Sequence, residues 1–177
     1  MTNPAHTTFF RGKGFAVHEG HQLGMELRRA YLSFHRRANA WTLHHGVTAD
    51  QFVTLSVLAR EPGITQINIV DRTASDPNTV AAILKLLEQR GLVRREAHAS
   101  DRRARCVFLT AEGRRVQQRA AKDLEPHLAA LCNCVEASDR SQFENILQGI
   151  IAVFSMPLAG TNGQSPHRRV SKRKAKA

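Results

Sequence analysis

The sequence is poor in cysteine, in tryptophan and tyrosine, and in acidic residues. Its 177 residues include 3 Cys, 1 Trp and 1 Tyr, and only 15 Asp+Glu stand against 26 Lys+Arg. Three cysteines do not make a disulfide framework, which predicts a reducing, cytoplasmic environment. No apolar run approaches the roughly 20 residues that span a bilayer, and the first residues lack the features of a secretory signal. We therefore expect neither membrane insertion nor secretion.

The net charge of +11 is concentrated towards the C-terminal end of the chain. Residues 157–177 contain no acid and six cations, and subtracting these six from +11 leaves +5 for the rest. A basic excess favours nucleic acid or an anionic surface as the partner. Residues 157–177 are predicted to form a basic disordered tail, and a solubilising end and a DNA-binding arm are both open interpretations of it.

The spacing of apolar residues predicts a mainly α-helical chain with one small β-hairpin. Apolar residues recur every three or four positions over residues 21–46 and again over residues 111–156, as in amphipathic helices. Between them, residues 47–110 combine short helices with two short strands. Residues 1–20 contain glycines and show no clear period, which predicts a flexible N-terminal arm.

The central segment has the element order of a winged helix-turn-helix. A short helix is predicted over residues 65–72, and a tight break over residues 73–75 follows it. Asp76 and Pro77 open the next helix, because Asp accepts backbone hydrogen bonds as an N-cap and Pro suits the first helical position. Two predicted strands around a polar turn complete the arrangement, at residues 92–96 and 105–109.

The second helix of this pair is the predicted recognition helix, because such a helix fits the major groove and its N-terminal residues meet base edges first. Ordinary capping and surface positions are the alternative interpretation of its polar residues. The hairpin favours DNA binding, because six arginines stand against two acids between residues 90 and 105. Arginines on a thin ribbon suit a narrow, electronegative minor groove. The predicted DNA-binding residues are Asp76, Asn78, Thr79, Lys85, Arg94, Arg95, Asp101, Arg102 and Arg103.

Residues 64–113 carry the motif RGLV, then D-x-R at Asp101 and Arg103, then L-T-x-x-G at Leu109, Thr110 and Gly113. In this order the motifs resemble the core of the MarR family of bacterial regulators, and the resemblance covers roughly residues 21–156. It implies a homodimeric repressor that reads a palindromic operator in double-stranded DNA, with the first and last two helices at the dimer interface. Two departures from the family pattern concern the recognition region: Ala74 stands where glycine is common, and Ala81-Ala82 replace a polar or basic pair.

Dimerisation is also expected without the resemblance. The terminal helices are amphipathic and far in sequence from the central segment, and one small core could not cover all their apolar faces. A two-fold dimer would then read two half-sites one helical turn apart.

The first helix carries a predicted ligand site. Arg28, Tyr31, Leu32 and His35 recur at spacings of three and four, so a cation, an aromatic ring and a titratable donor are expected to converge. We expect a small anionic ligand there, an aromatic acid or its thioester, whose binding releases DNA. The resemblance supports this, since MarR-like proteins respond to phenolic and aromatic-acid compounds. The alternative is that Tyr31 belongs to the apolar stripe and Arg28 covers the dimer surface.

A metal- or redox-responsive regulator of the same fold is the alternative function. The nine histidines suggest metal binding, and the Cys132-Asn133-Cys134 sequence suggests a response to oxidation. Side chains at i and i+2 of a helix point apart, so a disulfide within that cysteine pair is disfavoured, whereas one between subunits stays open. The motifs HExxH, CxxC and GxSxG and a Gly-rich phosphate loop are missing from the sequence. We therefore expect no enzyme, no cofactor and no metal.

Overall fold

The computed structural model describes residues 17–97 and 105–155. Its elements are α1 (Val17–Leu43), α2 (Ala49–Arg60), β1 (Ile64–Thr65), α3 (Gln66–Thr73), α4 (Pro77–Gln89), β2 (Val93–Ala97), β3 (Arg105–Leu109), α5 (Ala111–Cys132) and α6 (Arg140–Phe154). The predicted fold class, mainly α with a small β-hairpin wing, is confirmed. The chain divides into two compact units, and the boundary falls after Ala129. None of the helices described here is long and apolar enough to cross a membrane.

The helices of the central segment begin at side-chain caps. Thr48 caps α2 in a reciprocal box, because its hydroxyl accepts from the Gln51 backbone N–H at 3.2 Å and the Gln51 side chain accepts from the Thr48 N–H at 3.1 Å. Thr65 caps α3 through its hydroxyl, which accepts from the Asn68 backbone N–H at 3.4 Å. α1 begins at Val17 rather than at residue 21, and Glu19 in its first turn suits the helix dipole.

The wing sheet contains one strand that the sequence did not predict. β2 pairs antiparallel with β3 from Val93–Leu109 to Ala97–Arg105. β1 pairs with the other edge of β3, which gives the strand order β1-β3-β2. β1 has only two residues, and two residues are too few to show the alternation by which strands are predicted.

One buried core underlies the helix-turn-helix and the wing. It takes residues from α2, α3, α4, β2, β3 and α5 and from the connections before α2 and before β2: Val47, Leu55, Leu58, Ile69, Val80, Leu84, Leu87, Leu92, Val93, Val107, Leu109 and Val116. A smaller cluster joins α1, α2 and α5 through Ala38, Ala49 and Leu124. The larger cluster holds α4 with one face inward.

Large apolar side chains remain exposed on α1 and on α6. On α1 these include Leu23 and Tyr31, and on α6 they include Phe143, Ile146 and Phe154. No residue of α6 is buried. The apolar stripe of α6 and the N-terminal part of the α1 stripe are therefore exposed in one chain, whereas Ala38 of α1 is buried.

The L-T-x-x-G motif fastens the wing to α5. The Thr110 hydroxyl donates to the Gly91 carbonyl at 2.7 Å and accepts from the Gly113 N–H at 3.0 Å. The Thr110 N–H donates to the Leu92 carbonyl at 3.1 Å. Gly113 lies against that same carbonyl, because a Cβ built on it would come within 1.9 Å of the Leu92 oxygen. The threonine and glycine of the motif are thus structural residues.

We predict that Gly113→Ala lowers the free energy of unfolding by about 1–3 kcal/mol or more, since the added methyl meets backbone that has to shift. Urea denaturation followed by circular dichroism measures the change. The control is Gly24→Ala in α1, where a Cβ meets nothing within 4 Å. Alanine is the better helix former by roughly 0.5–1 kcal/mol, so this variant should be as stable as the wild type or more so. Equal stability of the two variants would contradict the tight contact.

Candidate nucleic-acid interface and neighbouring cavity

α4 turns one apolar side inward and a polar side outward. Val80, Leu84 and Leu87 are fully buried. Asn78, Thr79 and Lys85 are exposed on the other side of the helix, as are Ala82 and Leu86. The structure therefore brings Asn78, Thr79 and Lys85, all three predicted as DNA-binding residues, to one accessible surface.

Asp76 fixes the first turn of α4. Its Oδ1 accepts from the backbone N–H groups of Asn78 at 3.0 Å and Thr79 at 2.9 Å, and its Oδ2 accepts from the Thr79 hydroxyl. These bonds hold the pKa of Asp76 below its ordinary value, and the Thr79 hydroxyl is the largest cause. Asp76, predicted as a DNA-binding residue, therefore has both oxygens engaged within its own helix, where it orients its neighbours.

The turn between α3 and α4 contains a left-handed residue. Ala74 has φ +49° and ψ +35°, a conformation that costs a non-glycine residue about 1–2 kcal/mol. The Ala74 N–H donates to the Asp71 carbonyl at 3.4 Å, and the Ser75 N–H donates to the Val70 carbonyl at 3.3 Å. Alanine at the position where glycine is common therefore keeps the glycine-like geometry, held by the end of α3.

The two adjacent arginines of β2 lie on opposite faces of the sheet, as alternate residues of a strand do. Arg94 stands opposite Phe108, with its Cζ 4.8 Å from the centroid of the ring, and it forms an ion pair with Glu96. The Arg95 Nε instead lies 3.3 Å from the Glu88 Oε2 of α4. Sequence reasoning assigned both arginines to the DNA surface by counting charge. The structure separates them and directs Arg95 towards the end of α4.

The remaining predicted wing residues, Asp101, Arg102 and Arg103, fall in the interval 98–104, outside the described residues. The predicted N-terminal arm lies outside them as well, apart from residues 17–20, and so does the basic tail.

A cavity of about 380 Å³ lies beside the helix-turn-helix, within the first compact unit. α1 contributes Tyr31 and His35 to its walls, and α2 contributes Asp50. The His35 Nε2 lies 3.1 Å from the Asp50 Oδ1, and the Tyr31 and His35 rings are 5.6 Å apart between centroids. The turn residues 73–75 also line the cavity. The cavity therefore reaches the segment that leads into α4.

The structure does not bring all four predicted ligand residues into this cavity. Arg28 and Leu32 line a separate cleft of about 160 Å³, together with Met25, Arg29 and Arg36. The physical reason is the pitch of the helix: each residue turns by about 100°, so Arg28 and Leu32 form a row beside that of Tyr31 and His35. Asp50 and the turn residues were missed because they approach α1 only in the folded chain.

The described residues hold free cysteines and no metal cluster. Cys132 and Cys134 are exposed and Cys106 is buried, all as free thiols. Within residues 17–97 and 105–155, no group of three His, Cys, Asp or Glu side chains is placed to hold a metal ion.

Two helices joined by a tight turn, with an exposed second helix and a following hairpin that is completed by a short third strand, define a winged helix-turn-helix protein. A family model described as MarR family matches residues 45–104, which hold the helix-turn-helix and the first wing strand. The predicted resemblance to the MarR family is confirmed over this segment.

Individual proteins are also similar to this chain. Over 70 residues the chain is 43% identical to the transcriptional regulator HosA of Escherichia coli. This stretch makes up 40% of this chain and 52% of HosA. It thus spans about half the length of this curated relative.

Solved structures match over a longer stretch. The transcriptional repressor CouR, bound to a 23-mer DNA duplex, superimposes with a TM-score of 0.66 and 28% identity, covering 78% of this chain and 99% of CouR. The regulator MOSR of M. tuberculosis, in complex with DNA, gives a TM-score of 0.62 and 27% identity, covering 73% of this chain and 96% of MOSR. The likeness therefore extends beyond the residues that the family model matches.

We predict that Asp76→Asn makes the free energy of unfolding depend less steeply on pH at acid pH. The pKa of Asp76 is lowered in the folded chain, so its carboxylate stabilises the fold above its ordinary pKa of 3.8, and this contribution is lost as the pH falls through the lower folded value. The wild type should therefore lose more stability below about pH 4 than Asp76→Asn, which still caps but does not titrate. Urea denaturation at several pH values gives the two slopes.

Thr79→Val is the companion variant for this measurement, because it removes the hydroxyl donor and keeps the Asp76 carboxylate. Its acid limb should lie between those of the wild type and Asp76→Asn. Superimposable profiles for all three proteins would show that the cap hydrogen bonds do not stabilise the ionised form.

Proposed function

We propose that the chain is a transcriptional regulator that binds double-stranded DNA and acts as a repressor. The carrying observation is the exposed outer face of α4, whose Asn78 and Thr79 are held in place by the Asp76 cap. In the major groove, Asn pairs with adenine and Thr contacts a thymine methyl or a phosphate, while Lys85 reaches a phosphate. The DNA-bound states of CouR and MOSR support the same docking.

The wing is proposed to contact the flanking minor groove. Arg102 and Arg103 would enter the groove, and Asp101 would orient one guanidinium by a charge-assisted hydrogen bond. Arg94 adds a further cation on the exposed face of β2. The ion pair between Arg95 and Glu88 gives Arg95 a bracing role between wing and recognition helix instead.

We further propose that the regulator works as a homodimer on a palindromic operator. The support is the exposed apolar surface, since no residue of α6 is buried in one chain and Phe154 is 83% exposed. Large apolar side chains left exposed along one helix favour an interface between proteins. A two-fold dimer presents two copies of α4, and the spacing between them then selects the spacing of the operator half-sites.

For the DNA-binding surface, Asn78→Ala should weaken binding to the operator by roughly 1–3 kcal/mol, which is the contribution of one good bidentate base contact. Fluorescence anisotropy with a duplex from the protein's own upstream region measures it, and the affinity of every variant should fall with rising salt. Asn145→Ala removes an exposed asparagine of α6 instead and should bind like the wild type. If the wild type binds no duplex even at low salt, the proposed function is wrong.

An aromatic acid or its thioester is the proposed effector, bound in the cavity beside α1. Tyr31 and His35 offer an aromatic wall and a polar hydrogen-bonding group, and the surrounding walls are largely apolar. A ligand that fits the cavity better in the DNA-free conformation shifts the equilibrium away from DNA by the difference between its two affinities.

The effector site is tested by calorimetric titration with a panel that includes benzoate and salicylate. His35→Ala should weaken the binding of whichever acid binds by about 2- to 10-fold, the loss of one hydrogen bond. Arg28→Ala is the control, because Arg28 lines the separate cleft and should leave the affinity unchanged. The opposite result, a loss with Arg28→Ala and none with His35→Ala, would place the site in the smaller cleft.

A further inference from the structure

One aromatic ring on the exposed face of the wing sheet packs directly against backbone. Phe108 lies on β3, and a Cβ built on Gly63 would come within 2.8 Å of two atoms of its ring. Gly63 has φ +81°, and its N–H donates to the Val107 carbonyl at 3.0 Å. Both the left-handed conformation and the lack of space require glycine at this position. The ring is therefore held from one side by the chain that enters β1.

The other contact of the ring is the Arg94 guanidinium. Arg94 stands opposite Phe108 in the β2–β3 register, with its Cζ 4.8 Å from the ring centroid, within the range of a cation–π contact. Glu96, two residues further on the same face, pairs with the guanidinium. The Arg94 side chain is still 51% exposed. Arg94 is thus held in one position and remains open to solvent.

We infer that Phe108 and Gly63 form a seat that holds Arg94 as a phosphate-contacting residue of the DNA interface. The inference rests on the proposed function. A guanidinium whose face lies on an aromatic ring keeps its N–H donors free at the edge, where a phosphate can accept two hydrogen bonds. Phe108 and Gly63 are positioning residues, since they act on DNA through Arg94.

Glu96 has a defined part in the same arrangement. Its carboxylate pairs with Arg94 when no DNA is bound, so a phosphate has to replace it. Binding to any duplex is weakened by that competition. Glu96 thus lowers the affinity for DNA that lacks the correct bases, because those complexes depend mainly on phosphate contacts.

A double-mutant cycle of Arg94→Gln and Phe108→Leu tests the seat, with DNA affinity measured over a series of salt concentrations. Each single variant should bind about 3- to 10-fold more weakly than the wild type. Each should also make log K fall less steeply with log salt. For Arg94→Gln the magnitude of the slope should drop by about 1, because one phosphate contact is lost. The double variant should bind no more weakly than Arg94→Gln alone. Phe108→Tyr keeps the ring and should restore wild-type binding.

Two further variants leave the Phe108 side chain itself unchanged and alter half-exposed side chains beside it. Arg94→Lys keeps the charge but loses the planar group, and it should still weaken binding by at least 2-fold. Glu96→Gln should strengthen binding to an unrelated duplex. Arg119→Gln, which removes an exposed arginine of α5, is the control for general loss of charge and should keep the wild-type slope to within half a unit.

The outcomes separate the inference from the function on which it rests. Three outcomes would each overturn the seat while the protein still binds DNA. They are additive losses of affinity in the double-mutant cycle, an unchanged salt slope for Arg94→Gln, and wild-type DNA affinity of Arg94→Lys. Urea denaturation of every variant shows whether a loss of affinity comes from unfolding, and if Phe108→Leu is unfolded, Arg94→Gln and Arg94→Lys decide. Failure of the wild type to bind duplex DNA would overturn the proposed function and the seat together.

Discussion

The approach of Gly113 to the Leu92 carbonyl is the constraint on which the geometry of the wing depends. The Leu92 N–H donates to the Leu87 carbonyl of α4 at 2.9 Å, and the Leu92 carbonyl accepts from the Thr110 N–H at 3.1 Å. One residue thereby joins the end of the recognition helix, the beginning of β2 and the start of α5. The angle between α4 and the wing is set at this buried junction and not at the exposed hairpin. Residue 113 has to be glycine there, because the Leu92 carbonyl leaves no room for a Cβ.

The helix-turn-helix is braced from its other side by an ion pair. The Arg72 Nε donates to the Glu61 Oε1 at 2.8 Å and so ties the end of α3 to the residue that ends α2. This bond lowers the pKa of Glu61 and raises that of Arg72. Both groups are exposed, so the pair orients the two helices more than it stabilises the fold. The ion pair therefore connects α2 with α3, the helix that precedes α4, whereas backbone hydrogen bonds connect the end of α4 with the wing.

Local features of the fold could be predicted from the sequence, because their causes lie within a few residues. Thr48, Asp76 and Thr110 all receive hydrogen bonds from N–H groups two or three residues further along, and this signal is visible in any short window. The buried side of α4 is local in the same sense, because Val80, Leu84 and Leu87 recur at helical spacing. β1 did not, since its pairing partner lies on β3, far along the chain.

The candidate site was predictable in its residue types and less so in its arrangement. Counting charges identified Arg94 and Arg95 as candidates. It could not show that Arg94 faces solvent whereas Arg95 lies against Glu88. Helical spacing placed Tyr31 and His35 together, and it could not find Asp50, which reaches His35 from another helix. The seat under Arg94 depends on Gly63 and Phe108, whose contact arises from strand order. Each of these omissions concerns tertiary pairing, for which a single sequence carries little signal.

The short strand β1 has a topological consequence. Its pairing of Thr65 with Cys106 closes a loop that contains α3, α4 and β2, so the recognition helix is enclosed between two ends that meet in one sheet. Closing a loop of n residues costs conformational entropy that grows as roughly (3/2)RT ln n, and here n is about 40. Only two residue pairs between β1 and β3 hold the ends of this loop together. Such a pairing persists only when the enclosed helices are packed. The helix-turn-helix and the wing should therefore open and close as one cooperative unit, which the pairing of β1 with Cys106 and Val107 of β3 completes.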